Sequence, residues 1–342
     1  MSSGARPACL AMSGLAALLL GACATTGGPT LGLGSAPDIF GRSSVESDDF
    51  IVTVARRGDT TAQLARRFLG DASLAWMIED YNDVTTLAAG QSVVIPRRPW
   101  NPSGVYAGGY QLVPVLTYHD IGPQAKGRLV IGAKAFEEQM RYLKANHYRV
   151  VSLTELYEFL QLKRQLPRRA VVLTFDDGYR SFLQYAHPVL KKLHFTATLF
   201  VYTDYVGTGR NALGWPDLAR LTLEGFQVEG HTKTHSDLRQ QPGEPETEYG
   251  RRLRAELEGP QRLFEQRLGH PARFLAYPYG GADETVLVRT RDSSFLAGLT
   301  VFREGYSSFV PLFRIRRSQV YSEITLEDFK KNLNTFAAEP LK

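Results

Sequence analysis

The stretch AVVLTFDDGYRSFLQYAHPVLKKLHFTATLFV, residues 170–201, decides the fold. It opens on an uncharged run, Ala170–Phe175, of the kind that suits a strand buried on both faces. A helical stretch over 181–193 follows, and a second uncharged run, TATLFV at 196–201, closes the unit. Strand, helix and strand in that order point to parallel pairing, because parallel neighbours need a long crossover between them. Between the first run and the helix stand two adjacent acids, Asp176 and Asp177, with Gly178 behind them. Successive strand residues point to opposite faces and like charges repel, so neighbouring carboxylates at the mouth of a strand call for a chemical reason.

Working outward, the same alternation recurs. LVPVLTY at 112–118 precedes a helix around 136–146, and RVVSL at 149–153 precedes a helix from Thr154. Beyond the central unit come a helix near 216–223, FQVEG at 226–230, a charged helix around 246–268, RFLAYPY at 273–279, SFLAGLTV at 294–301 and a last helix from Leu326. Repeated units of this type make the chain α/β, with a parallel sheet flanked by helices and either open or closed into a barrel. In both cases the chemistry belongs at the C-terminal ends of the strands, where Asp176 and Asp177 stand.

With 342 residues, 43% hydrophobic and 22% charged, the chain can hold one sizeable domain and a smaller one. The net charge of +5 is spread over arginine pairs such as Arg56-Arg57, Arg97-Arg98, Arg168-Arg169 and Arg251-Arg252. That spread reads as solvated surface and lacks the concentrated stripe of a nucleic-acid binder. Both cysteines, Cys9 and Cys23, lie near the N-terminus, so any metal in the body of the chain must be held by histidine and carboxylate.

Residues 1–22 carry one cation, Arg6, and a short apolar core from Leu10 to Leu20, which fits a secretory signal better than a membrane span. Leu20-Gly21-Ala22-Cys23 resembles a bacterial lipobox, which implies lipidation of Cys23 as the mature N-terminus; an ordinary cleaved signal with an incidental cysteine is the alternative. Ala24, rather than Asp, after the cysteine resembles the pattern sent on to the outer membrane, so the expected place is its periplasmic face. Residues 23–49 are rich in Gly, Ser, Thr and Pro and read as a flexible tether.

Residues 50–96 read as a small strand–helix–helix–strand domain: FIVTV, TTAQLARRFLG, SLAWMIEDYN and QSVVIP, with Thr60 or Asp59 to start the first helix and Gly70 to end it. VARRGDTTAQLARRFLGD, the YND at 81–83 with Asn82, and LAAGQSVVIP together resemble a LysM module. That resemblance implies binding to peptidoglycan, chitin or another N-acetylglucosamine glycan; a degenerate module kept as a spacer is the alternative. Residues 97–111, with Pro99, Pro102 and several glycines, read as a linker.

In GHTKTHSDL, His231 and His235 stand four apart, a spacing that on a helical turn puts both imidazoles on one face. Asp177 would complete a His2Asp set with open positions, and Asp176 would stand free to take a proton from water as general base.

The central and C-terminal residues resemble a polysaccharide deacetylase of carbohydrate esterase family 4. TFDDGYRS matches the family's first motif, HTKTH its second and AYPYG at 276–280 its third. The resemblance implies a distorted (β/α) barrel over 112–342 and a divalent metal on Asp177, His231 and His235, zinc by default with cobalt, nickel or iron admissible. It also implies Asp176 as base and the Tyr279 backbone N–H as an oxyanion donor. Three departures stand out: the third motif's arginine is replaced by Ala276, the fourth motif's Asp-Trp pair is not found, and no late histidine follows His270. VPVLTYHDIGP at 113–123 resembles instead the circularly rearranged branch that includes poly-β-1,6-N-acetylglucosamine deacetylases, where the acid histidine comes from the first strand, here His119. Arg314, Arg316 or Arg317 could replace the missing cation, with nothing to choose among them. The expectation is an exported, lipid-anchored N-deacetylase of a polysaccharide. Its rivals are the same chemistry on peptidoglycan or a chitin-like glycan, and a non-catalytic glycan-binding lipoprotein.

Overall fold

The computed structural model describes residues 44–339; the expected signal at 1–22, Cys23 and most of the tether lie outside them. Among the described residues no helix is long and apolar enough to cross a membrane.

The small domain has the expected two helices, Thr61–Leu69 and Ala75–Asn82, between the strands Phe50–Val54 and Ser92–Pro96. Thr60 is the cap: its hydroxyl accepts from the Gln63 N–H while the Gln63 side chain accepts from the Thr60 N–H, and Gly70 ends the helix at φ 80°. Asn82 ties helix to sheet, donating to the carbonyls of Ile78 and Val94 and accepting from the Val94 N–H at 2.9 Å. Ile51, Leu64, Ile78, Val93 and Ile95 form the core. One element is additional. Ser44–Glu46, in the stretch read as tether, is a strand antiparallel to Phe50–Val54; three residues are too short for a periodic signal.

The stretch read as a linker is ordered. Gln165 accepts from the N–H groups of Trp100 and Asn101, and the Trp100 ring lies 5.2 Å from that of Tyr81. Val105–Tyr106 and Gly109–Gln111 pair as a hairpin, to which Phe336–Ala337 adds a third strand. The two domains meet through Arg149 on Glu79 at 2.9 Å and the Arg168 N–H on Asp80 at 2.9 Å.

Burial at this seam pushes Asp80 from its ordinary 3.8 up to about 6, against the pull of the Arg168 N–H, Arg168 and Arg149; Glu79 pushes the same way as burial. A carboxyl raised in the folded state adds stability in full below its unfolded value, and loses it as pH rises through about 6. Asp80→Asn, neutral at every pH, should therefore gain on the parent chain by about 1–3 kcal/mol between about pH 4 and about pH 8. Urea unfolding across that range reads the gap, and a gap independent of pH would refute the assignment.

The large domain is built on a nine-stranded sheet. Its parallel core runs Ala297–Leu299, Phe274–Ala276, Gln227–Gly230, Thr198–Val201, Ala170–Phe175 and Val113–Tyr118 in spatial order. Residues 315–319 then bridge the two sides of the curl. Ile315 pairs with Leu299 while Ser318–Gln319 pairs in parallel with the Val113–Tyr118 strand. This is the expected distorted (β/α) barrel. Alternation splits its strands between two cores: Val113, Val115, Val172, Phe200 and Leu299 pack with the Leu153–Leu160 helix, whereas Leu116, Leu173, Phe175 and Leu199 pack under the outer helices with Phe136, Leu190 and Phe264.

Candidate active site

Asp176, His231, Tyr279 and His119 all follow the C-terminal ends of sheet strands, as a barrel requires. The strand Ala170–Phe175 is buried throughout, and Thr174 donates its hydroxyl to the Leu116 carbonyl at 2.9 Å. Asp176 is 2% exposed. Ordinary alternation would send Asp177 to the opposite face, but its φ is 74°, a left-handed conformation that turns its carboxylate back toward the histidines. Gly178 follows at φ 79°, and a Cβ there would stand 2.9 Å from Val201. Two carboxylates can share the site because the backbone reverses between them.

The His231–His235 spacing brings the rings together, with centroids 4.7 Å apart, but no helix does it. Residues 231–235 form a loop in which Thr232 at φ 71° and His235 at φ 63° are left-handed, so the helical-turn expectation is corrected. What holds the loop is Glu256, buried on the long helix Glu246–Leu268: it accepts from the N–H groups of Lys233 and Thr234 at 3.0 and 2.9 Å and from the Thr234 hydroxyl at 2.6 Å. Nothing in the sequence near Glu256 marks it for this task. Glu256→Ala should leave those donors without an acceptor, loosen both imidazoles and weaken metal binding by about 10–100-fold, read by competition with a chelator. Undiminished affinity would show that the loop holds its own shape.

His231 Nδ1 lies 2.7 Å from the Ala276 carbonyl, which only accepts, so Nδ1 carries the proton and Nε2 offers its lone pair. That Nε2 is 3.5 Å from Asp177 Oδ1, and His235 Nε2 is 3.3 Å from the same oxygen. Asp177 Oδ1 is buried and has no hydrogen-bond partner. An orphaned carboxylate oxygen faced by two imidazole nitrogens, with all three ligand atoms within 4.8 Å of one another, fits a divalent cation. Burial pushes Asp177 up, yet His231, His119 and His235 hold it down at about 2. Burial pushes His231 down, and Asp177 and Asp176 outweigh it and raise it.

The cation left open among three arginines is Arg317. It is 0% exposed and grips Asp176 with both ends of its fork, Nη1 to Oδ1 at 2.7 Å and Nη2 to Oδ2 at 2.8 Å. Nε donates to the Thr300 carbonyl at 2.9 Å, and the guanidinium stands over the Phe200 ring. Burial alone would raise the Asp176 carboxyl, but the Arg317 charge overcomes it and holds the group below the usual range. Arg314 and Arg316 pair elsewhere, with Glu284 and Glu304.

His119 is pushed below the ordinary histidine value by burial, against the pull of Asp176 and Asp177, and its Nδ1 has no hydrogen-bond partner. Tyr279, at φ 59°, sets its ring edge-on to His235 at 4.9 Å. Four left-handed non-glycine residues, Asp177, Thr232, His235 and Tyr279, thus crowd one site, where such strain is held for function.

Residues 163–297 match the family described as Polysaccharide deacetylase. A poly-beta-1,6-N-acetyl-D-glucosamine N-deacetylase of Staphylococcus epidermidis is 24% identical over 194 residues, 55% of this chain and 67% of its own length. A protein of the same name from Escherichia coli is 29% identical over 117 residues, 34% of this chain, and the match spans 16% of that longer protein. The fold of a Streptococcus pyogenes deacetylase solved with acetate superposes with a TM-score of 0.60 at 23% identity, covering 66% of this chain and 99% of that one. The barrel, the acidic pair at its mouth and the match over residues 163–297 agree, and the chain is an enzyme similar over that segment to polysaccharide deacetylases.

Proposed function

We propose that the chain removes N-acetyl groups, with a divalent metal, from N-acetylglucosamine-type residues of an extracytoplasmic polysaccharide of the poly-β-1,6-N-acetylglucosamine kind. The observation that carries this reading is the orphaned Asp177 oxygen faced by His231 and His235, with Asp176 clamped beside it. The relatives named for that polysaccharide support the substrate class.

When bound by Asp177, His231 and His235, the metal supplies Lewis acidity toward an acetamide carbonyl and acidifies water; zinc is the default for this donor set, with cobalt, nickel or iron admissible. Asp176, kept ionised by Arg317, takes the proton as water adds to the carbonyl carbon. The Tyr279 N–H donates to the oxygen that gains charge. His119 gives a proton to the nitrogen as the C–N bond breaks, so acetate and a free amine leave. Burial lowers the His119 ring below the ordinary histidine value, which makes its proton easier to give up, and Asp176 and Asp177 pull the other way.

Residues 1–22 would direct export across the inner membrane, and lipidated Cys23 would anchor the chain at the periplasmic face of the outer membrane. The module at 50–96 would hold peptidoglycan or another N-acetylglucosamine glycan and raise the local substrate concentration. The ordered two-helix module favours one second reading, deacetylation of peptidoglycan or a chitin-like chain. Acetate release on defined glycans, with and without chelator, separates these. Activity surviving full metal removal would sink the metal assignment.

His119→Ala should cripple release of acetate from an acetamide, whose leaving group is a poor one, far more than hydrolysis of an activated aryl acetate, with metal content unchanged. Proportional loss on both substrates would remove His119 from the acid role.

A further inference from the structure

The small domain and the acidic pair stand at opposite ends of one strand. The barrel groups that hold the small domain lie in segments leading into the sheet: Arg149 opens the strand Arg149–Val150, and Gln165 and Arg168 precede Ala170–Phe175. Asp176 and Asp177 follow Phe175 at the far end. Extended residues rise about 3.3 Å each, so the strand alone puts about 20 Å between the seam and the carboxylates. His119 and His231 leave their strands at that same far end.

The seam is pinned at several points. Glu79, which takes Arg149, is itself steadied by the Thr61 hydroxyl at 2.8 Å, and the Arg168 guanidinium reaches Asp83 at 3.3 Å while its N–H is held by Asp80. Trp100 lies edge-on to Tyr81 and 6.4 Å from Trp76, and its N–H is bound by Gln165, which is buried. Exposed ion pairs alone would hold little, but ring packing and hydrogen bonds to a buried amide add to them. The side of the small domain left open carries Arg56, Arg57 and Gly58 beside Ala88, Ala89 and Gly90, joined by the Gly90 N–H on the Ala55 carbonyl at 2.8 Å.

We propose that the enzyme acts in trans: the small domain holds the peptidoglycan network, while the barrel mouth deacetylates a separate polysaccharide chain that the small domain does not touch. The proposal rests on the glycan reading of both domains above. It makes the two glycans partners of two ends of the molecule, not rivals for one site. A short chain bound at the small domain cannot span to Asp176, and the effective concentration of a ligand that cannot span two sites is near zero. The small domain therefore places the enzyme, and substrate reaches the mouth from elsewhere.

The test uses the metal-loaded chain with Cys23→Ser, purified peptidoglycan sacculi and a soluble β-1,6-linked acetylated pentasaccharide. The enzyme should sediment with the sacculi. The sedimented enzyme should deacetylate the pentasaccharide with a kcat/KM within about twofold of that of the free enzyme, and should release at least about tenfold less acetate from the sacculi themselves. If the sacculi depress turnover of the pentasaccharide in proportion to the enzyme they retain, or serve as an equal source of acetate, both ends engage one glycan and the proposal falls. Enzyme that stays in the supernatant, yet releases acetate from the pentasaccharide, overturns peptidoglycan as the partner and leaves the deacetylase reading standing. A free enzyme that releases acetate from no glycan overturns that reading and the proposal with it.

Discussion

Asp176→Asn should keep the metal and lose about 10²–10⁴ in deacetylation rate, because an amide cannot accept the proton of the attacking water. Asp177→Asn should lose the metal as well, since its Oδ1 is the oxygen that both imidazole Nε2 atoms face. The two residues are adjacent and alike, and geometry alone gives them different tasks. Asp176 spends both oxygens on Arg317, whereas Asp177 has a buried oxygen without a partner. Metal content measured alongside acetate release separates them: equal metal loss in both variants would show that the roles are exchanged or shared. The expected split also bears on His235→Ala, which should lower occupancy and rate together.

The barrel was legible because its strands are continuous apolar runs of the length that a doubly covered sheet demands, and Ala170–Phe175 is buried at every position. The cluster of Asp177, His231 and His235 was legible for a different reason. Acids at a strand mouth and histidines at close spacing are rare enough to stand out together. What could not be read was the backbone that makes them meet. His231 and His235 look like a helical pair, but their geometry comes from two left-handed residues and from Glu256, more than twenty positions further on, which has no local signal. The last bridging strand was hidden as well, because Ser318–Gln319 is too short for any periodicity and exists only by pairing with the first strand of the domain. That same bridge explains why Arg317 could not be chosen from its neighbours. Between Ile315, paired on one side of the curl, and Ser318, paired on the other, Arg317 is directed into the closed barrel while Arg314 and Arg316 reach acids outside it.

Arg317→Met should therefore damage both stability and rate. It leaves both buried Asp176 oxygens without the fork that held them, and breaking a buried pair by removing one partner costs about 3–5 kcal/mol. The carboxyl, which Arg317 and also His231 and His119 hold down against burial, should rise once the Arg317 charge is gone. A base that is protonated cannot take a proton, so the acid limb of the pH–rate profile should move to higher pH, and activity should recover in part as pH increases. Arg317→Lys keeps a charge but not the fork, and should fall between the parent and the methionine variant on both measures. The double variant Arg317→Met with Asp176→Asn removes the unpaired charge and should regain much of the lost stability while remaining inactive. Such non-additivity in a double-mutant cycle is the mark of direct coupling. Were the two losses simply additive, or the acid limb unmoved, Arg317 would be a packing residue that happens to face Asp176, and the chain's replacement for the cation missing at Ala276 would have to be sought elsewhere.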